Sequence, residues 1–239
     1  MEDKIAVWKK HVAEVSCDPG FQHYEWFVRW HLEIVERIAL ELCGVYTQAD
    51  RDLVQVMVWL HDYGKAIVEP TEWGTSRANQ SAPHSAVSSI RLRSGAPDSS
   101  QAAPHSEGSN SPLGEYDVTT SAGMAKLTEI GFAPDFVDKA VGHIAHMNKK
   151  LEVDLHEAPL EVQIVASADG CSHMVGPFMA EYWRENAGLS VDELLQANIR
   201  KLTKDWERKI VLPEAREAFA ARRAMHLELA GELPEKYLS

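Results

Sequence analysis

The spacing of apolar residues constrains this chain more than any other feature. Between residues 25 and 42, Phe27, Ile34, Val35, Ile38 and Leu42 recur at intervals of three and four, one face of a 3.6-residue period. The segment 50–63 repeats this with Leu53, Val54, Met57 and Leu60, and 120–130 does so through Met124 and Leu127, with Gly131 placed to cap the end. Pro134 suits a first helical turn, and Phe136, Val137, Ala140, Val141 and Ile144 supply the buried stripe behind it. Pro159 opens another helix carrying Leu160, Ile164, Val165 and Ala168. Ser190 and Glu193 have capping-box spacing ahead of Leu194 and Leu195, and Pro213 starts a last charged helix through Ala224. Strand-like alternation is nearly absent, Val162 to Val165 being the only rival segment. The pattern predicts an all-α fold.

One stretch departs from the period. Residues 75–112 are dominated by Ser, Ala, Pro and Gly, with Val87, Ile90 and Leu92 as the only large aliphatics. Such a composition cannot bury enough surface to offset its ordering entropy, so it reads as a long loop insertion, with a short helix over 85–93 as the alternative. The expected organisation is a single unit over 1–239, with a core at about 23–183, the loop at 75–112 and a C-terminal helical extension at 190–239. No internal repeat interrupts it.

The charge balance narrows the partners. Lys and Arg total 24 against 36 Asp and Glu, a net charge of −12, which repels long nucleic acid and anionic membrane surfaces. A local cationic pocket remains compatible with one phosphate. No apolar run approaches the ~20 residues a membrane helix needs. The start, Met1-Glu2-Asp3-Lys4, lacks the layout of a signal peptide, and Cys17, Cys43 and Cys171 form no CxxC pair. A reducing, cytoplasmic setting is the expectation, and self-association is left open.

Polar residues that share the apolar stripes carry the chemistry. His31 lies four after Phe27 and three before Ile34; His61 lies four after Met57; Asp169 lies four after Val165 and seven after Val162. A buried Asp costs several kcal/mol unless it is paired, hydrogen-bonded or metal-bound. Singly, each residue has an ordinary core or capping explanation. Together, three helices aim a His or an Asp into one core, and a divalent cation satisfies all of them. His61 also opens the segment His61-Asp62-Tyr63-Gly64-Lys65 at a helix end, where adjacent His and Asp side chains can reach one ion in a groove. Gly64 is expected to end that helix and clear space above the site. Lys65, four after His61, can reach the same mouth and hold an anion. The donor types suit Mn, Fe, Co, Ni or Zn, with Mg a further option.

The order His31, then His61-Asp62 within an HDxGK segment, then a distant Asp169 resembles the HD-domain superfamily of metal-dependent phosphohydrolases. The run Ser121-Ala122-Gly123-Met124-Ala125-Lys126-Leu127 through Ile130-Gly131-Phe132 resembles that family's middle helix and turn. The likeness covers about His23 to Trp183, interrupted by the 75–112 stretch. It implies an HD-type helical bundle in which His31, His61, Asp62 and Asp169 are the core metal ligands. Members with two metals add two histidines in between. This chain has Asp117 where the first would stand, with His84 and His105 in the loop as substitutes or as plain loop residues. His143 and His146 fall where the second would stand, and His143 is preferred because it borders the apolar face while His146 points further towards solvent.

The implied activity is hydrolysis of a nucleotide or other small phosphate ester by a metal-activated water. In it, Asp62 or Asp169 orients the water and Lys65 offsets charge on the phosphate. Two other readings stand beside it. One is an HD-type diiron oxygenase acting on a small diol or phosphonate, which needs the full extra ligand pair. The other is a non-catalytic, metal-bound regulatory module. His173, one turn after Asp169, reads as a solvent-facing residue or a substrate contact. Lys149, Lys150, Arg91 and Arg93 read as solvated charge or phosphate contacts. No GxxxxGKS/T or GxSxG segment supports a P-loop or a serine-hydrolase elbow.

Overall fold

A computed structural model describes residues 1–67, 115–150, 152–231 and 236, with the backbone alone for 115–117. Every regular element among them is helical. The loop insertion expected at 75–112, with its alternative helix at 85–93, lies outside the described residues.

Helix α1 (Glu2–Ser16) lies outside the predicted segments, although its buried Ile5, Trp8 and Val12 also recur at three and four. A π-helical turn over Val28–Leu32 runs directly into α2 (Glu33–Val45). Its signature is the Glu33 N–H donating to the Val28 carbonyl, five residues back. Helix α3 (Arg51–Leu60) starts where Asp50 accepts from the Leu53 N–H at 3.0 Å. Seven of its ten residues are buried, the signature of a central helix surrounded by others. The chain turns at His61 and Asp62 and resumes in α4 (Tyr63–Ile67). Gly64 therefore does not end a helix as expected. It sits inside α4, and its N–H donates to Thr119 Oγ1 at 3.0 Å.

Thr119 belongs to α5 (Glu115–Ile130), whose inward positions are Thr119, Gly123 and Leu127. Met124, expected on that face, is exposed. The small residue at 123 concealed the true face, because it is used for contact. A Cβ there would come within 2.3 Å of Leu60 Cδ1. Helix α5 ends in a Schellman motif: Gly131 has φ +90°, and the Phe132 N–H reaches the Leu127 carbonyl at 3.1 Å.

Helix α6 (Pro134–Asn148) starts at its proline as the sequence predicts. Helix α7 (Leu160–Ser172) includes the residues 162–165 that rivalled as strand, and it is buried from Ile164 through Ser172. Helix α8 (Phe178–Glu185) was not predicted. Helix α9 (Val191–Arg208) opens with the capping box of Ser190 and Glu193, and α10 (Pro213–Leu229) follows. Helices α2, α3, α6, α9 and α10 all pack against α7. Asp169 on α7 is therefore a buried carboxylate that needs partners.

Candidate metal centre

The residues that the apolar stripes single out meet beside α7. His31, carried on the π-helical turn, places Nε2 3.2 Å from His61 Nε2. Asp62 Oδ2 lies 3.4 Å from His31 Nε2 and 3.5 Å from His61 Nε2, and Asp169 Oδ1 lies 3.9 Å from each. His31 and His61 are buried, and Asp62 is largely so. A π-turn rotates the helix locally by one extra residue, and such turns frequently carry functional side chains.

The hydrogen bonds on the far sides of the rings fix which nitrogens are bare. His61 Nδ1 lies 2.6 Å from the Val58 carbonyl, an acceptor, so the proton is on Nδ1. The Ser172 hydroxyl donates its single proton to the Asp169 carbonyl at 2.7 Å. It must therefore accept from His31 Nδ1, 3.2 Å away. Both Nε2 atoms then present lone pairs to each other and to two carboxylates. Such a set of acceptors is repulsive unless a cation lies among them. A proton is disfavoured at His31, because burial lowers its pKa despite the opposing pull of Asp62 and Asp169. The spacings among His31, His61 and Asp62 lie close to the ~3.0–3.4 Å edges of a polyhedron with metal–ligand bonds of about 2.1 Å, and Asp169 Oδ1, at 3.9 Å, stands somewhat wider. The chain thus has an all-helical fold with a clustered His/Asp site able to chelate a metal ion.

Each carboxylate pairs with an ammonium, Lys65 on the Asp62 oxygen that also faces the histidines and Lys209 on the far oxygen of Asp169. Lys65 Nζ is 2.8 Å from Asp62 Oδ2. Burial would raise the Asp62 carboxyl, but the charges beside it, Lys65 foremost, outweigh it and hold the group well below the usual range. Lys209 Nζ is 2.6 Å from Asp169 Oδ2, leaving Oδ1 to face the histidines. Asp169 is likewise held well below the usual range, Lys209 overcoming the effect of burial. Asp169 and Asp205 in turn keep the buried Lys209 charged against its own desolvation. Lys150 adds a further cation: lost hydration, then the nearby Lys209, pull it down to about 8, and it also feels Asp169, Lys65 and Asp62.

Lys209 and Asp205 went unnoticed in the sequence, although a signal for Asp205 existed. The buried residues of α9 are Leu194, Asn198, Leu202 and Asp205, an inward stripe with a carboxylate on it. Lys209 follows the last turn of that helix. The segment it opens is pinned to α7: Ser167 Oγ accepts from the Val211 and Leu212 N–H groups at 3.1 and 3.3 Å and bonds the Lys209 carbonyl at 3.3 Å.

Two sequence expectations are corrected here. His173 does not face solvent; it is 4% exposed, with Nδ1 2.7 Å from Asp205 Oδ2 and Nε2 3.4 Å from Asp169 Oδ1. Burial, with Lys201 adding to it, pulls its pKa down to about 3. Asp169 and His173 follow one another by a single turn, so burial of one side of α7 carries both inward. His146 does not point to solvent either, since its Nε2 is shut away from water. His143 lies half-buried with Nε2 3.9 Å from Glu161 Oε2, a partner on α7 remote in kind from the His31 cluster. Neither α6 histidine belongs to the groups of converging ligand atoms among the described residues. His84 and His105, like the Asp117 side chain, lie outside the described residues.

No family model, no curated protein and no solved structure matches this chain. Geometry and chemistry therefore carry the functional reading.

Proposed function

We propose that the chain is a metal-dependent phosphohydrolase of the HD-domain kind, acting on a nucleotide or other small phosphate ester. The observation that carries this reading is the convergence of two bare imidazole Nε2 atoms and two ionised carboxylates, with Lys65 on the partly open side. His31, His61, Asp62 and Asp169 would hold the ion, and the donor types favour Mn, Fe, Co, Ni or Zn, with Mg also admitted. A divalent ion in such a donor set supplies Lewis acidity towards a phosphoryl oxygen and an acidified water.

The residues of the chain do the rest. Asp62 and Asp169 stay ionised because each is paired with a lysine, so either can accept a proton from an attacking water. Lys65 is one-third exposed and reaches the opening, where its ammonium can pair with a phosphate oxygen. Lys150 adds positive charge to the same region. This local excess of lysine suits a small polyanion on a protein whose overall charge is −12.

Metal content of protein purified without added metal, with a panel of phosphate esters assayed on the same sample, tests the reading. Metal together with phosphate release, both lost in Asp62→Ala while helicity is retained, is the expected result. Two irons per chain with no phosphate release would point to the oxygenase instead. Bound metal with no turnover of either kind would leave a regulatory module. Protein without affinity for any divalent ion would end the proposal.

A further inference from the structure

Behind the four clustered residues, a second line of charge runs from α7 into α9: Asp169, His173, Asp205, then Lys201 and Lys209. Four of these five groups are buried, and removing a charge from water is costly unless it is paired or bound. We propose that His173 is a fifth protein ligand for the ion that His31, His61, Asp62 and Asp169 would share, and that Asp205 holds it in the ligating orientation. The inference rests on the metal reading above and extends it to two residues outside that set.

Three observations support it. First, Nδ1 of His173 lies 2.7 Å from Asp205 Oδ2, so the proton sits on Nδ1 and is donated to the carboxylate. Second, that assignment leaves Nε2 with a lone pair directed at Asp169 Oδ1, 3.4 Å away. Two acceptors face each other at that separation, the same conflict found between His31 and His61, and the same cation relieves it. The His31, Asp169 and His173 ligand atoms all lie within 4.8 Å of one another. Third, the ring is buried and held by neighbouring aromatic rings. It stacks on His31 with centroids 5.5 Å apart and planes 5° from parallel, and Phe178 packs against both rings, 4.2 Å from His173 and 6.2 Å from His31.

Asp205 is fixed in turn. Lys201 Nζ is 3.2 Å from Oδ2, and Lys209 Nζ is 3.4 Å from Oδ1. Lys209 thereby grips both Asp169 and Asp205 and sets the spacing between the carboxylate that would ligate and the carboxylate that orients. A carboxylate accepting from the far nitrogen of a ligating imidazole fixes its tautomer and raises its basicity. The competing arrangement is an imidazolium at His173 bridging Asp169 and Asp205 as an ion pair, with a proton on Nε2 and no role towards metal.

Cobalt(II) distinguishes the two without any assay of turnover. Each imidazole bound through Nε2 keeps its Nδ1 proton, which appears as a hyperfine-shifted, solvent-exchangeable resonance in the NMR spectrum of the Co(II) protein. With histidine labelled by nitrogen-15, the full-length wild type is expected to show three such resonances, from His31, His61 and His173. His173→Gln should show two. Asp205→Asn should keep three while Co(II) binds about tenfold more weakly, the lower end of the effect of losing an orienting carboxylate. Two resonances in the wild type, or three surviving in His173→Gln, would overturn the assignment of His173 while leaving the metal reading intact. A wild type that takes up no Co(II) overturns both. A wild-type count of two overturns the assignment even if the variants do not fold.

Discussion

Lys65 bridges the buried carboxylate of Asp62 and the solvent, and that position makes its charge separable from the fold. Lys65→Met keeps the stem and removes the ammonium. Metal content should persist while kcat/KM on the best phosphate ester falls on the order of a hundredfold, as expected for a charged contact that strengthens in the transition state. Unchanged kcat/KM would assign Lys65 to the surface. His11 offers a test by pH. Its Nε2 pairs with Tyr63 Oη at 2.9 Å, and burial, then the nearby Lys126, lowers its pKa below 6.5. The unfolded chain binds that proton first as pH falls, so the stability due to neutral His11 is complete above pH 6.5 and is lost as pH drops through the folded-state value. His11→Phe should therefore flatten the acid limb of a plot of Tm against pH. An unchanged acid limb would exclude His11 as a contributor.

Among the elements, the approach of the 209–212 segment to α7 is the step that completes the site. It depends on Gly170, next to Asp169. A Cβ there would fall 2.7 Å from Ile210 Cγ1 and 3.2 Å from Lys209 Cβ. Gly170→Ala should push the segment outwards, lower stability by about 1–3 kcal/mol in a denaturant melt and weaken metal binding through Asp169. A variant with wild-type stability and wild-type metal affinity would show that Lys209 needs no such close approach. The apolar period located α2, α3, α6 and α7 because each buries large side chains at helical spacing. It missed the inward face of α5, where the contact residue is Gly123. Small-residue contacts leave no hydrophobic signal, since their contribution is the space they leave.

At the scale of the molecule, the C-terminal helices belong to the site as well as to the outside of the bundle. A chain ending at Leu189 retains His31, His61, Asp62 and Asp169 but loses Lys209 and Asp205. Asp169 would then be a buried carboxylate without its ammonium, a loss typically worth 3–5 kcal/mol. Purified under the same conditions, the shortened chain is expected to melt well below the full chain and to bind divalent metal more weakly. Full stability in the shortened chain would mean that Lys209 contributes nothing to holding Asp169.

The sequence by itself determined the helical class, the capping box at Ser190 and Glu193, the turn at Gly131 and the set of polar residues riding on buried faces. These follow from local rules, because a helix reports its buried face through the spacing of its own side chains. Only the tertiary structure decided which nitrogen of each histidine is bare, that His173 turns inward, and that Lys209 and Asp205 stand behind Asp169. Asp169 and Lys209 are 40 residues apart in the chain yet 2.6 Å apart in space. Pairing at that separation depends on how α9 crosses α7, and crossing is fixed by packing between helices, which no single helix encodes.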